Sequence, residues 1–169
     1  MTTDNQDELF DIVDENDRVV GKAKRGEVHK NKKLIHRSIG IGVFNSKGEI
    51  LLQKRSAGKD TDPLKWTLSA SGHVISGDEY ENTARRELLE ELGINLSVKF
   101  VMKFLSFASF ETEMTAFFKS ESEGPFMINK KEIERVEFFS KDKLKKELRK
   151  KDFKLTHSTK KLFEKLGWI

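Results

Sequence analysis

The sequence predicts a single α/β domain of the α+β type, in which a mixed sheet is flanked by helices. Strand-like segments alternate with helical segments through short links, an order that places helices against the faces of a sheet. The chain has 169 residues, about the length of one ordinary domain. It contains no low-complexity linker, internal repeat or proline-marked hinge. We therefore expect one domain over residues 1–169.

Two hairpins are predicted near the N-terminus. The stretch LFDIVDENDRVVGKAKR has two short apolar runs around an Asp-Glu-Asn-Asp turn. It forms most of an N-terminal hairpin extension, at about 9–36. RSIGIGVFNSKGEILLQKR has two longer runs around Asn45-Ser46-Lys47-Gly48, where Gly48 is free to take a positive φ. Both stretches carry the turn residues that a hairpin needs.

The rest of the chain predicts a helix among further strands, followed by a helical tail. KWTLSASGHV is a short strand that runs into a loop, and residues 79–92 form a helix with Gly93 as the C-cap. LSVKFVMKFLSFAS, TEMTAFFKSES and RVEFF are three more strands. The tail, at about 141–166, is predicted to be helical.

Composition excludes several classes of protein. The chain has no cysteine, so it has no disulfide framework, thiolate zinc site or thiol nucleophile. Its N-terminus, MTTDNQDELF, is polar and acidic, unlike a signal peptide. No apolar run approaches the roughly 18 residues that a membrane span requires. We expect a cytoplasmic protein with no membrane partner.

Basic residues are concentrated in the C-terminal segment KDKLKKELRKKDFKLTHSTKKLFEKL, and the net charge is +4. Such a segment fits either a surface for nucleic-acid phosphates or the solvated face of helices. Acidic residues are interspersed there, and only Phe153 and Phe163 are aromatic. The solvated face is therefore the favoured interpretation, and a nucleic-acid partner is the weaker one.

Three glutamates crowd the predicted helix. Glu87, Glu90 and Glu91 lie within an arc of about 100° on a helical projection. Like charges at these spacings cost a few tenths of a kcal/mol in an isolated helix. A hard divalent cation such as Mg²⁺ or Mn²⁺ would reverse that cost. The alternative is a charged surface helix in which Arg85 and Arg86 pair with the acids.

The residues around the glutamates follow a long spaced pattern. Gly72 is followed six residues later by Asp78, and RELLEELGI begins at Arg86. This pattern resembles the signature of the Nudix hydrolase family, which usually has Glu at the position of Asp78. The resemblance implies an α/β/α sandwich with a loop-helix-loop metal site.

The same resemblance implies roles for individual residues. Glu87, Glu90 and Glu91 would bind Mg²⁺ or Mn²⁺, and the Gly72 carbonyl would be a further ligand. Arg86 would hold the glutamates in place through charge-assisted hydrogen bonds.

From about Leu9 to about Lys119 the chain is similar to the branch of that family related to type I isopentenyl-diphosphate isomerase. That resemblance implies a second metal site of three histidines and two glutamates. The matching residues are His29, His36, His73, Glu111 and Glu113. Imidazole and carboxylate ligands suit Mn²⁺, Zn²⁺ or Mg²⁺. Taken singly, each histidine also fits a surface or capping position.

The branch resemblance also implies a substrate site. Arg25, Arg55 and Lys59 fall where the isomerase binds a diphosphate, and Trp66 falls near its substrate cavity. A solvated surface is the alternative for the three cations, and a core position is the alternative for Trp66. The loop DPLKW has Leu64 where the branch usually has glycine.

Ser71 stands where the isomerase has its proton-transfer cysteine. A hydroxyl without a base is poor at moving a carbon-bound proton. We therefore expect a metal-dependent hydrolase that cleaves a diphosphate linkage in a nucleoside diphosphate derivative or another small organic diphosphate. Glu90 or Glu91 is the expected general base, with Glu111 and Glu113 as outside candidates. The alternatives are an isomerase and a noncatalytic module that binds nucleic acid or a metabolite.

Overall fold

The computed structural model describes residues 5–169 and shows an open mixed sheet with helices. The strands are Leu9–Val13 (β1), Val19–Lys24 (β2), Ile35–Phe44 (β3), Ile50–Arg55 (β4), Trp66–Thr67 (β5), Ala70–His73 (β6), Lys99–Phe107 (β7), Thr112–Glu121 (β8) and Ile133–Phe139 (β9). The helices are Arg25–Val28 (α1), Tyr80–Leu92 (α2), Lys141–Glu147 (α3) and His157–Lys165 (α4). The predicted α/β class is confirmed.

Strand β3 is the centre of the sheet. Along one side it pairs in parallel with β8 over its whole length. Along the other side it pairs antiparallel with β1, then with β6 and finally with β4. Strand β7 extends the sheet beyond β8, and β9 extends it beyond β4. The long parallel pair brings the first residues of β3 and β8 to the same end of the sheet.

Two apolar cores cover the two faces of this sheet. Because side chains alternate along a strand, β4 contributes Leu51 to one core and Ile50 and Leu52 to the other. The first core is completed by Ala84, Leu88 and Leu92 of α2, and the second by Leu144 of α3 with Leu162 and Phe163 of α4. Each fully buried leucine or phenylalanine side chain contributes about 1.5–3 kcal/mol to stability. The sheet is therefore the middle layer of an α/β/α sandwich.

Helix α2 has well-defined ends. Asp78 accepts hydrogen bonds from the Glu79 amide at 2.8 Å and the Thr83 hydroxyl at 2.9 Å, just before and within the first turn. At the other end Gly93 has a φ of 68°, and its amide donates to the Leu89 carbonyl at 3.0 Å. This left-handed C-cap is the one predicted from the sequence. The shorter acid at position 78 still supports the start of the helix.

The second predicted hairpin has its turn but little of its ladder. Gly48 has a φ of 72°, and its amide donates to the Asn45 carbonyl at 2.9 Å. Beyond the turn, β3 and β4 pair only at Phe44 and Ile50, and then β4 joins β5 and β9 instead. The predicted hairpin is therefore confirmed at its turn, where β3 and β4 pair antiparallel, but its ladder does not continue beyond that pair.

Ser69 explains the separation of β3 and β4. Its hydroxyl accepts a hydrogen bond from the Val43 amide at 2.7 Å and donates to the Leu51 carbonyl at 2.5 Å. One side chain thus satisfies backbone groups on both strands. On either side of it, the stretch predicted as a short strand running into a loop forms two strands, β5 against β4 and β6 against β3.

The C-terminal tail is helical only at its two ends. Between α3 and α4 the chain runs beside β5, where the Trp66 amide donates to the Lys154 carbonyl and the Thr156 amide donates to the Trp66 carbonyl, both at 2.8 Å. Phe153 stacks on the Trp66 ring with the ring centroids 5.4 Å apart. The prediction of helix throughout the tail is wrong here, because burial of Phe153 and Leu155 overrides helix propensity.

None of the helices within residues 5–169 has the length and apolar character that crossing a membrane requires.

Candidate functional site

A cleft of about 240 Å³ lies where β3, β6, β8 and α2 meet the loop after β4. It brings together most of the site residues predicted from the sequence. Its lining includes Arg25, Arg55, Lys59, Gly72, His73, Arg86, Glu87, Glu90, Glu111 and Glu113. Residues from separate parts of the chain therefore share one cavity.

On one wall of the cleft, Glu87 lies against the backbone of Gly72. A Cβ atom at position 72 would lie 2.5 Å from the Glu87 carboxyl group, so only glycine permits this packing. Burial raises the pKa of Glu87 to about 7, with further increases from the charges of Glu90 and Glu132 against the opposing effect of Arg86. A carboxyl group in this setting is charged more readily when a cation lies nearby.

Arg86 bridges two glutamates of this wall. Its Nη1 lies 3.0 Å from Glu87 Oε1 and 3.2 Å from Glu90 Oε2. The Glu90 side chain is 52% exposed, whereas the Glu87 side chain is 12% exposed. The guanidinium therefore links a buried carboxylate to one that is open to solvent.

Glu91 is buried deeper in the same helix. Its Oε2 accepts hydrogen bonds from Gln53 Nε2 at 2.6 Å and from the Ser71 amide at 3.2 Å. Burial and the charges of Glu87 and Glu132 raise its pKa well above the ordinary value, although both hydrogen bonds lower it. Two buried, mutually repelling carboxyl groups are a fitting donor set for a divalent cation.

Glu132 is a cleft residue that the sequence did not indicate. It lies in the loop before β9, and its Oε2 is 3.3 Å from Lys59 Nζ. The loop is tied to the end of α2, since the Asn129 amide donates to the Glu91 carbonyl at 2.9 Å. No periodic pattern or spaced motif surrounds Glu132, so no local signal would have found it.

Next to the glutamate wall, four predicted ligands form a compact cluster. One ligand atom from each of His29, His36, His73 and Glu111 lies within 4.8 Å of the other three. His29 follows α1, His36 and His73 lie on the paired strands β3 and β6, and Glu111 precedes β8. The β3–β8 pairing aligns His36 with Glu113, and Glu111, just before β8, has its Oε2 3.7 Å from His36 Nε2.

Several atoms of this cluster are buried without a hydrogen-bond partner among residues 5–169. They are His29 Nε2, both ring nitrogens of His36, and Glu111 Oε2. The His29 Nε2 and Glu111 Oε2 atoms are 3.1 Å apart, yet their alignment is not that of a hydrogen bond. Orphaned buried groups of this kind each cost about 1–3 kcal/mol, and coordination of a cation would satisfy them.

The acid-base state of the cluster follows from its burial. Burial, together with the neighbouring His29, lowers the pKa of His36 to about 3, so its imidazole is neutral. Burial, followed by the charge of Glu113, raises the pKa of Glu111 to about 9. Neutral imidazole is the form that binds metals.

His73 and Glu113 differ from the other members of the predicted second site. Arg25 Nη1 donates to His73 Nδ1 at 3.2 Å, which leaves the ring proton of a neutral imidazole on Nε2. That Nε2 lies 3.6 Å from Glu113 Oε1. Glu113 itself is outside the four-residue cluster, and the His73 ring would bind a cation only after its contacts rearranged.

The predicted substrate cations line the cleft but already have protein partners. Arg25 is buried, and its Nε and Nη2 donate to the Asp60 carboxylate at 3.1 and 3.2 Å. Arg55 donates from Nε and Nη2 to the Thr61 carbonyl at 3.2 and 3.0 Å, which fixes the loop after β4. In that loop Leu64 has a φ of 61°, a conformation that favours the glycine of the similar branch.

Trp66 does not line the cleft. It is 3% exposed and lies in the core against Phe139 and Phe153, with Arg135 over its ring. Its neighbour Thr67 points the other way and lines the cleft. The predicted contact of Trp66 with the substrate is therefore corrected. Trp66 has the core position that the sequence offered as the alternative.

Comparison with known protein families gives a match to the NUDIX domain over residues 34–159. An uncharacterized Nudix hydrolase from Pseudomonas aeruginosa is 36% identical over 132 residues, which cover 78% of each chain. Isopentenyl-diphosphate Delta-isomerase 2 from Photorhabdus laumondii is 39% identical over 99 residues, or 59% of this chain. The alignments span 55% of that isomerase and 58% of an isomerase from Clarkia breweri, little more than half of each relative.

Solved structures agree with this match. A crystal structure from Deinococcus radiodurans has a TM-score of 0.79 and 25% identity, and the overlap covers 90% of this chain and 96% of that one. The NUDIX domain of Shewanella oneidensis NrtR, solved with ADP ribose, has a TM-score of 0.61 and 16% identity, with 82% and 88% covered. At 16% identity, the similarity to the Shewanella domain concerns the fold alone. Both confirm the predicted Nudix-like sandwich.

Proposed function

The chain belongs to the Nudix family, and from that premise we propose that it is a divalent-metal-dependent hydrolase of a diphosphate linkage. The substrate would be a nucleoside diphosphate derivative or another small organic diphosphate. The observation that carries the proposal is the shared cleft, in which the glutamates of α2 adjoin the histidine cluster through the consecutive residues Gly72 and His73. Cationic side chains complete its lining.

The glutamate wall fits a divalent cation. Buried Glu87 and Glu91 have raised pKa values because of burial and of neighbouring carboxylates, and a nearby cation would offset both effects. Glu87, Glu90, Glu91 and the Gly72 carbonyl would hold Mg²⁺ or Mn²⁺, which prefer oxygen ligands. When bound, the cation would supply positive charge against phosphate oxygens and acidify water.

The histidine cluster fits a second cation. His29, His36 and Glu111 offer the orphaned atoms, and His73 adjoins them. Imidazole and carboxylate donors together suit Mn²⁺, Zn²⁺ or Mg²⁺. Glu113 would support the site from beside His73 rather than complete the four-residue set.

Other residues of the cleft would have separate roles in binding and catalysis. Arg86 holds Glu87 and Glu90 in a fixed relation. Glu90 is the preferred general base, because it lines the cleft and is the most open of the three acids, with Glu91 as the alternative. Lys59 would exchange its contact with Glu132 for the substrate's diphosphate, stabilising the charge on the leaving phosphate.

An isomerase is the second candidate, because relatives with that name match the chain and the histidine cluster adjoins the cleft. Ser71 argues against it. The Ser71 amide binds Glu91, but over residues 5–169 its hydroxyl makes no hydrogen bond to a base. Without a base the hydroxyl is a poor proton donor or acceptor for carbon, so hydrolysis is the better-supported reaction.

The basic tail supports no separate function. Its apolar side chains pack into the core, and several lysines pair with acids, including Lys143 with Glu137 and Lys150 with Glu147. This is the arrangement of solvated helices, so we keep nucleic acid as the weaker alternative for a partner.

A phosphate-release screen tests the proposal. Purified protein would be incubated with nucleoside, sugar, prenyl and dinucleotide diphosphates, with Mg²⁺, with Mn²⁺ and with a chelator. We expect turnover of at least one class, abolished by the chelator. The absence of release from every class by folded protein, in both metals, would overturn the proposed function.

A further inference from the structure

Gln53 is a polar side chain buried in an apolar strand. Strand β4 has the sequence ILLQKR, and Gln53 is 2% exposed next to the buried Leu51 and Leu52. Its backbone pairs with Thr67 of β5 on one side and Val136 of β9 on the other, so its position is fixed by both neighbours. A buried amide without partners costs on the order of 1–3 kcal/mol. The stability of this arrangement therefore depends on the partners that the amide finds.

The side-chain amide has a single consistent orientation. Its nitrogen donates to Glu91 Oε2 at 2.6 Å and to the Ser69 carbonyl at 3.3 Å. The Ser69 carbonyl can only accept, and Glu91 Oε2 already accepts from the Ser71 amide. A flipped amide would direct its oxygen at both acceptors, so Nε2 must face Glu91.

Both hydrogen bonds to Glu91 reach the same oxygen. The Ser71 amide also donates to Oε2, at 3.2 Å. Among the residues that the structure describes, no hydrogen bond goes to Oε1. Two donors from different strands thus fix the carboxyl group and leave one defined oxygen for a further contact.

We propose that Gln53 is a positioning residue that holds Glu91 so that Oε1 alone is presented to the cation of the cleft. This inference rests on the proposed function, which assigns Glu91 to that cation. Neither Gln53 nor Glu91 lines the cleft itself, whereas Ser71, whose amide binds the same oxygen as Gln53, does. Without its donor, Oε2 would lose its shorter hydrogen bond, and the carboxyl group would be free to rotate towards Glu87.

The test replaces Gln53 by methionine, which keeps the length of the side chain and removes the donor. We expect kcat to fall about 10- to 100-fold with little change in KM, the usual loss for a partner that orients a ligand. Mn²⁺ binding without substrate, followed by electron paramagnetic resonance, should weaken similarly. Leu52→Met is the matched control, because Leu52 is also fully buried in the same strand but packs on the opposite face.

A double-mutant cycle separates positioning from general destabilisation. In a Glu91→Gln background, Gln53→Met should lower kcat by less than about a further twofold, because the two residues act as one unit. An equal loss in both backgrounds would overturn the inference, as would wild-type kcat and Mn²⁺ affinity in the single variant.

If Gln53→Met does not fold, the wild-type protein supplies the test. The side-chain amide resonances of Gln53 should shift when Mg²⁺ is added, and an unchanged signal at saturating Mg²⁺ would overturn the inference. Weakened Mn²⁺ binding by a folded Gln53→Met variant, combined with no hydrolysis by wild type, would support the positioning role and refute the hydrolase. Hydrolysis by the wild type, combined with wild-type kcat and Mn²⁺ affinity in Gln53→Met, would support the hydrolase and refute the positioning role.

Discussion

Gly72 and Glu87 are in such close contact that one added methyl group would displace the carboxylate. A Cβ atom placed on residue 72 would lie 2.5 Å from both the carboxyl carbon and Oε1 of Glu87. Backbone and side chain can approach in this way only where residue 72 has no side chain. Steric packing against Glu87 therefore explains the glycine of the sequence signature, whether or not a ligand is bound.

Gly72→Ala tests this steric role. The flexible end of Glu87 would move away, so we expect the fold to survive while kcat falls at least about tenfold. Circular dichroism and metal-dependent turnover would measure the two effects. Gly21→Ala is the control, since an added Cβ there meets no atom of residues 5–169 within 4 Å. Unchanged turnover in Gly72→Ala would show that the position of Glu87 is unimportant.

The acids of α2 can be tested without changing their volume. Glu90→Gln and Glu91→Gln each remove a charge, and we expect each to lower kcat by at least about tenfold with saturating substrate. Glu81→Gln is the control, because Glu81 is an exposed residue in the first turn of the same helix. Wild-type turnover by either site variant would remove that residue from the proposed mechanism.

The histidine cluster is tested by cation-dependent stability. A cation at 100 times its Kd would stabilise the folded protein by about 2.7 kcal/mol per site. We expect Mn²⁺ or Zn²⁺ to raise the Tm of the wild type, and His29→Gln to lose much of that increase. His157→Gln is the control, because His157 is the one histidine of the sequence outside the cluster. Equal Tm increases in both variants would exclude a cation at His29.

Asp17 predicts a dependence of stability on pH. Burial raises its pKa, but hydrogen bonds from Lys103, Arg37 and Tyr80 together bring the pKa below the ordinary value of 3.8. A depressed pKa in the folded state stabilises the protein above the unfolded value, and that contribution is lost as pH falls through the folded pKa.

Asp17→Asn should therefore lower the free energy of unfolding by on the order of 1 kcal/mol at neutral pH. Asparagine is the appropriate replacement because Asp17 has a φ of 63°, which asparagine tolerates. Urea unfolding would show the difference from wild type shrinking as the pH falls below about 4. A difference that stayed constant from pH 7 to pH 3 would contradict this reasoning.

Ser71 predicts that isopentenyl diphosphate is not isomerised. Protein incubated with that compound in heavy water should incorporate no deuterium into carbon, because the hydroxyl lacks a base. Ser71→Ala should retain hydrolysis, since it is the Ser71 amide that contacts Glu91. Robust exchange by wild type, abolished in Ser71→Ala, would establish the isomerase instead.

Sequence patterns predicted the helices and strands that depend on residues close together in the chain. The helix ending at Gly93, the first hairpin and the strands β7, β8 and β9 depend on periodicity and on turn residues within a few positions. The tail departs from its pattern because Phe153 stacks on Trp66, a residue far away in the chain. Helix propensity is weak enough for such a contact to override it.

The supporting residues of the site were beyond the reach of local patterns. Gln53 and Glu91 are 38 positions apart, and Lys59 and Glu132 are 73 apart. Each pair forms only after separate strands, loops and α2 have packed. The ligand candidates followed a spaced motif and a family resemblance, whereas Gln53 and Glu132 had neither, so their contacts emerge only from the tertiary structure.

The Ser69 hydroxyl also affects how the sheet would open. A regular β3–β4 ladder would be protected by many backbone pairs, but here one side chain connects Val43 to Leu51. Exchange of the Val43 amide hydrogen with solvent would therefore report on the opening of this side-chain hydrogen bond. The two parts of the sheet are thus joined here by the Ser69 hydroxyl and the Phe44–Ile50 pair rather than by a continuous ladder.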